Sequence, residues 1–155
     1  MLLAREGVVA WLEGHIRSAR VDPGSICFQI PEAVAVAYPQ ARALAEKLRS
    51  WGFRFAIESF GSPANAFGLL ESMPLDYVKI DGALVQGLAR NKELQHHVRA
   101  LGEDAAKRAI QTIAERVEDA NTMAVLWQLG VEYIQGYFVN APENVVMQAG
   151  DTRPR

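Results

Sequence analysis

The chain has 155 residues, 50% of them hydrophobic and 22% charged, with a net charge of −2. Those values fit a single soluble domain with a real core. They argue against tight binding to a nucleic acid polymer, which needs clustered Lys and Arg, but leave room for a small anionic ligand held by local dipoles and one or two cations. Cys27 is the only cysteine, so no internal disulfide forms and a reducing, cytoplasmic setting is expected. Its place inside an apolar run predicts a buried structural thiol. No stretch reaches the ~18–20 apolar residues of a membrane span, and Met1-Leu2-Leu3-Ala4-Arg5-Glu6 lacks the form of a signal peptide.

In chain order, Leu2, Leu3, Val8, Val9, Leu12 and Ile16 place an amphipathic helix over residues 2–16. Val21-Asp22-Pro23-Gly24 is a turn. Residues 26–30 are a strand, followed by a short helical turn over 33–37. Pro39 suits the start of the next helix, Ala41, Leu44, Ala45 and Leu48 its apolar stripe, and Gly52 its C-terminal cap. A strand follows over 53–58, a loop over 61–65, a short helix over 66–72 and a strand over 77–80. A brief helix covers 83–88, and Asn91 caps a long helix reaching about Arg108. Residues 110–114 form a strand, and either Asp119 or Asn121 caps a helix running to Leu129. The last strand covers 131–134 and ends at Gln135-Gly136-Tyr137. Five strands in strict alternation with helices predict an α/β fold with a parallel sheet.

A buried parallel strand is apolar along its length and presents chemistry at its carboxyl end. The tips here carry Gln29 and Glu32, Glu58 and Ser59, Lys79 and Asp81, Glu115 and Glu118, and Gln135. One polar tip means little, whereas five in succession point to a site. Carboxylates with a lysine suit a divalent cation and a phosphate ester. Blander readings stand beside this one. Lys79 pairs with Glu58 or Glu115 structurally, Glu118 begins the following helix where the dipole favours acids, and Gln135 satisfies backbone groups. Asp81 is expected to cap the helix after it. His96 and His97 are adjacent on a helix and point apart, so they make no metal pair. His15 is expected at the surface, and Trp11, Trp51 and Trp127 at core or interface positions.

These segments resemble the EAL domain, the cyclic-di-GMP phosphodiesterase fold, a modified (βα)8 barrel. Phe28-Gln29-Ile30-Pro31-Glu32 is similar to its E-x-T-E segment and Ile57-Glu58-Ser59-Phe60-Gly61 to its D-D-F-G. Tyr77-Val78-Lys79-Ile80-Asp81 matches the K-I-D strand, and Ile113-Ala114-Glu115-Arg116-Val117-Glu118 is similar to A-E-G-V-E. Leu129-Gly130, Gln135-Gly136-Tyr137-Phe138 and Pro142 are similar to the closing L-G…Q-G-Y-x-x-x-x-P. The resemblance runs from about Arg5 to Val146. It implies the C-terminal part of a (βα)8 TIM-like barrel, with residues 1–148 a partial EAL domain lacking the N-terminal strands and 149–155 a disordered tail. The missing strands would supply a metal-binding Glu and Asn and much of the ligand wall.

By the same resemblance, Lys79 would orient a water or pair with a phosphate, and Glu115 would be a metal ligand; these are the catalytic remnants. Glu58 and Glu115 are the remaining metal candidates, while Gln29 and Ser59 replace expected acidic ligands. Arg116, Glu118, Gln135, Pro142 and Glu32 are the ligand-binding candidates. The loop Ser62-Pro63-Ala64-Asn65-Ala66 departs from the family's T-G-Y-S-S, so its coupling of dimer contacts to the metal site should be broken. Pro31 stands at a Thr position and Arg116 at a Gly position, which sets a long cation at the pocket rim.

The expected function is that of a degenerate domain, similar to FimX-type receptors, in a fragment of a larger cytoplasmic signalling protein. It would bind cyclic-di-GMP without cutting it and need no cofactor. Two alternatives stand: a Mg2+- or Mn2+-dependent phosphodiesterase yielding linear pGpG, and an interaction scaffold that binds no nucleotide. The expected partners are cyclic-di-GMP and the protein's other domains. Self-association is expected too, because an open sheet would expose two edges and apolar inner faces.

Overall fold

The computed structural model describes residues 7–137. Helix α1 (Gly7–Ser18) leads through a 3-10 turn at Pro23–Ser25 into β1 (Cys27–Pro31), α2 (Glu32–Ala37) and α3 (Gln40–Ser50). Then come β2 (Arg54–Phe60), α4 (Ala66–Ser72), β3 (Tyr77–Ile80), α5 (Gly82–Val85) and α6 (Lys92–Lys107). The described chain closes with β4 (Gln111–Ala114), α7 (Ala120–Gln128) and β5 (Tyr133–Ile134). The five strands form one sheet in the order β1-β2-β3-β4-β5, every neighbouring pair parallel. Consecutive strands lie side by side, each joined by a helical crossover, as in a stretch of (βα)8 barrel.

Strand pleating sorts the residues into two faces. Phe55, Ile57 and Val78 pack with Ala41, Ala45 and Leu48 of α3 and with Leu69 and Leu70 of α4. Ile80 and Ala114 pack with Val98 of α6 and Leu126 of α7. Helix α6 serves both clusters, since its Leu101 and Ala105 belong to the first. Each fully buried side chain of this kind contributes roughly 1.5–3 kcal/mol of hydrophobic burial.

The expected caps form. Asn91 Oδ1 accepts the N–H groups of Glu93 and Leu94, at 3.0 and 3.1 Å. Asp119, rather than Asn121, caps α7, its Oδ1 accepting the Thr122 N–H at 2.7 Å. The helix expected over 83–88 divides instead into α5 and a 3-10 turn at Leu88–Arg90, because Gly87 takes a left-handed conformation between them.

The opposite, concave face corrects two expectations. It is not apolar: Cys27, Gln29, Arg54, Tyr77, Lys79 and Ile113 line a cavity of about 450 Å³ there. Arg54 donates to the Tyr77 hydroxyl at 2.9 Å and to the Gly24 carbonyl at 3.1 Å, and Gln111 donates to the Tyr133 hydroxyl at 3.2 Å. Cys27 is exposed rather than buried, because the pleat turns it toward the cavity while its neighbour Phe28 packs against the core. Two of the tryptophans are also outside the core, Trp11 being 61% and Trp127 56% exposed, whereas Trp51 packs against it. Among the described residues, no helix is long and apolar enough to cross a membrane.

Candidate functional site

The carboxyl ends of β1 to β4 bring Gln29, Glu58, Lys79 and Glu115 to one rim of the sheet, with Gln135 directly after β5. Pairing of β2 with β3 runs Ala56↔Tyr77 and Ile57↔Val78, then jumps to Phe60↔Ile80. Glu58 and Ser59 together therefore oppose Lys79 alone, which is a β-bulge. Ser59 sits at φ 49°, a left-handed conformation that costs a non-glycine residue about 1–2 kcal/mol. The bulge bends the strand tip at the point where its two polar side chains leave the sheet.

Gln29 Nε2 donates to Glu58 Oε2 at 2.9 Å. An amide thus occupies a carboxylate oxygen that a cation would otherwise claim. Lys79, beside them, makes no ion pair among the described residues, so the structural pairing with Glu58 or Glu115 does not form. Glu115 is half-buried, and burial holds its carboxyl above the usual glutamate range; Lys79 pulls it back down, while Glu58 and Asp81 push it up.

This shift makes a stability prediction. Below the ordinary glutamate pKa of about 4.3 the carboxyl is protonated in both folded and unfolded chains and costs nothing. As pH rises from there through the higher folded-state value, the folded state resists ionisation and loses stability. Glu115→Gln is therefore expected to raise the melting temperature at pH about 7.5, with the gain vanishing near pH 4. Thermal melts followed by circular dichroism at both values check it; a lower melting temperature at neutral pH would contradict it.

Arg116 is exposed at φ 54°. Its stem lies across Gly82, where an added Cβ would fall 2.5 Å from Arg116 Cδ. The bare glycine makes room for the arginine, and Arg116 too has no acidic partner within ion-pair distance among the described residues. Asp81 caps α5 as expected, accepting the Ala83 N–H at 2.8 Å. Glu118 is exposed and precedes the cap residue Asp119, so it lies outside the helical turn where the dipole would explain it. Around Gln135 the backbone does the pairing: its N–H donates to Ala114 at 2.8 Å and its carbonyl accepts from Val117 at 3.0 Å. The Gln135 side chain is left to the rim. Pro142 lies outside the described residues.

Glu32, expected as a ligand contact, is engaged through one carboxylate oxygen by the loop after β2. It is only 5% exposed, and its Oε2 accepts the N–H groups of Gly61 and Ser62, at 2.6 and 3.2 Å. Its carboxylate holds the loop after β2. Sequence reading missed this pairing because it joins residues 29 and 30 positions apart, and no local pattern announces it.

No group of three His, Cys, Asp or Glu among the described residues converges as a ligand set. Beside Glu115 the rim offers the carboxylates of Glu58, one oxygen of which takes the Gln29 amide, and of Asp81, which caps α5, where a two-ion site needs several free carboxylates.

A rim of ionisable residues at the carboxyl edge of a parallel α/β sheet is the architecture of a barrel-type ligand site. The chain belongs to the EAL domain family, which it matches over residues 1–142. It is 32% identical over 142 residues to cyclic di-GMP phosphodiesterase PdeB of Shewanella oneidensis, covering 91% of this chain and 17% of that protein. It is 31% identical to the probable cyclic di-GMP phosphodiesterase PdeA of Escherichia coli, covering 79% of this chain and 17% of that one. The FimX EAL domain from Pseudomonas aeruginosa, solved bound to c-di-GMP, superposes with a TM-score of 0.84 at 36% identity, covering 92% of this chain and 59% of the other. The chain thus spans about a sixth of the length of these two curated relatives.

Proposed function

We propose that this chain is part of a receptor that binds cyclic-di-GMP without hydrolysing it, within a longer signalling protein. The observation that carries the reading is the Gln29–Glu58 hydrogen bond at 2.9 Å. It engages one Glu58 oxygen with an amide, next to a neutral Ser59, and so leaves this strand tip with less charge and fewer open coordination positions than a two-metal mechanism requires. Two cations at the rim, Lys79 and Arg116, make no ion pair among the described residues. A cyclic dinucleotide carries two phosphodiester charges, and an ammonium with a guanidinium can meet them directly. Glu118 and Gln135 supply exposed acceptors and donors for a base edge or ribose hydroxyl. The solved FimX complex supports cyclic-di-GMP as the ligand.

A phosphodiesterase is the second reading, favoured by the placement of Glu58 and Glu115 on either side of Lys79 and by the activity named for PdeB. Calorimetry on the full-length protein separates these. Cyclic-di-GMP at about 50 µM is expected to give saturable heat in EDTA, with the same Kd after Mg2+ is added. No heat would favour a scaffold that binds no nucleotide; binding that appears only with the metal would favour the enzyme.

A further inference from the structure

We propose that His97, on α6, is a positioning residue for the β2 tip, acting through Gly61. Its Nε2–H donates to the Gly61 carbonyl at 2.7 Å. The N–H of that same residue is taken by the Glu32 carboxylate from α2, at 2.6 Å. Both polar atoms of one glycine are thus held by side chains from two different helices. A carbonyl only accepts, so the contact requires a proton on His97 Nε2. His97 is partly buried, its ring edge-on to Phe67 of α4 with centroids 6.0 Å apart.

The clamp leaves Gly61 little freedom. An added Cβ would fall 2.4 Å from Leu84 Cδ1 and 3.4 Å from Leu101 Cδ1. Just before it, Phe60 is fully buried, and its carbonyl accepts the Asp81 N–H at 2.8 Å. The strained Ser59 and its neighbour Glu58 project immediately upstream of these anchors. A residue at positive φ keeps that conformation only where its surroundings over-determine it; buried Phe60 and, next to it, the doubly held Gly61 supply that constraint. His97 therefore sets the direction in which Glu58 leaves the sheet, and with it the Gln29–Glu58 contact, from a helix that contributes nothing to the rim itself.

The consequence for ligand binding rests on the receptor reading above; the consequence for backbone protection does not. Hydrogen exchange of the 59–65 segment and calorimetry with cyclic-di-GMP are measured on the full-length protein as wild type, His97→Phe and His97→Gln. Phenylalanine keeps the packing against Phe67 and removes the donor, whereas glutamine offers an N–H at a similar reach. His97→Phe is expected to speed exchange across the segment about tenfold and to weaken binding about 3- to 10-fold, with His97→Gln restoring most of both. If His97→Phe does not fold, His97→Leu tests the same loss of donor. Unchanged exchange in the donor-less variants would overturn the clamp, as would Phe outperforming Gln, the result a purely packing role predicts. Faster exchange with unchanged affinity would overturn the positioning role. If the wild type binds no cyclic-di-GMP, the receptor reading fails by itself, and exchange still decides the clamp.

Discussion

Lys79→Ala in the full-length protein is expected to weaken cyclic-di-GMP binding about 10- to 100-fold, equally in EDTA and in Mg2+. A charge-assisted hydrogen bond is worth roughly 1.5–3 kcal/mol, and its loss gives that range. Lys79 lines the cavity of the concave face, opposite the bulge that carries Glu58 and Ser59, and no carboxylate lies within ion-pair distance among the described residues. Among the described residues its charge is held in no ion pair, so removing it should cost ligand affinity more than fold stability. Arg116→Ala should act in the same direction with a smaller effect, because a guanidinium on an exposed stem works in a higher dielectric. Equal affinities for wild type and Lys79→Ala, by calorimetry, would remove the lysine from the site.

Gly136→Ala is expected to destabilise the fold by about 3 kcal/mol, lowering the melting temperature by roughly 10 °C. A Cβ there would lie 2.3 Å from the Val117 carbonyl oxygen and 2.4 Å from its nitrogen. Neither atom can retreat cheaply, since the Val117 N–H donates to the Gln135 carbonyl at 3.0 Å. The methyl group would push β5 from β4 and displace Gln135 and Glu115 together. Gly130→Ala is the control: it also has positive φ, at 85°, but nothing lies within 4 Å of the added carbon. It should cost only the left-handed backbone penalty, about 1–2 kcal/mol. Thermal melts of the two variants that fell by the same amount would show that contact with Val117 is not the cause.

Much of the fold was legible because its signals are local. Apolar runs marked the strands, the stripe of Ala41, Ala45 and Leu48 marked α3, and Asp81, Asn91 and Asp119 announced helix starts through side-chain oxygens within three residues of the bonds they accept. The line of polar strand tips was legible for the same reason, since each strand ends where its apolar run ends. What escaped depends on contacts across the chain or on the choice of face. Cys27 shares an apolar run with Phe28 and Ile30, yet the pleat sends it to the opposite side from them. Arg54 lies near the start of the strand expected over 53–58, and no local pattern shows that it bonds across the concave face to Tyr77. The bulge at Glu58 and Ser59 leaves no mark in the residue pattern, because it is a mismatch between two strands. Glu32 has a family precedent as a polar tip but folds back onto Gly61, and His97 reaches the same glycine from 36 residues away.

These particulars bear on how the rim works. On the proposed reading, Lys79, Glu115, Glu118 and Gln135 would present a dinucleotide, while Gln29 and Ser59 stand where the family resemblance implies acids. The amide of Gln29 goes further than a missing charge, because it ties up the carboxylate that remains at Glu58.

Turnover is the direct test of that account. The full-length protein is incubated with cyclic-di-GMP in excess Mn2+, and the nucleotides are separated by anion-exchange chromatography. The account predicts that cyclic-di-GMP is recovered intact by a protein that binds it; accumulation of linear pGpG, abolished in Glu115→Ala, would contradict it.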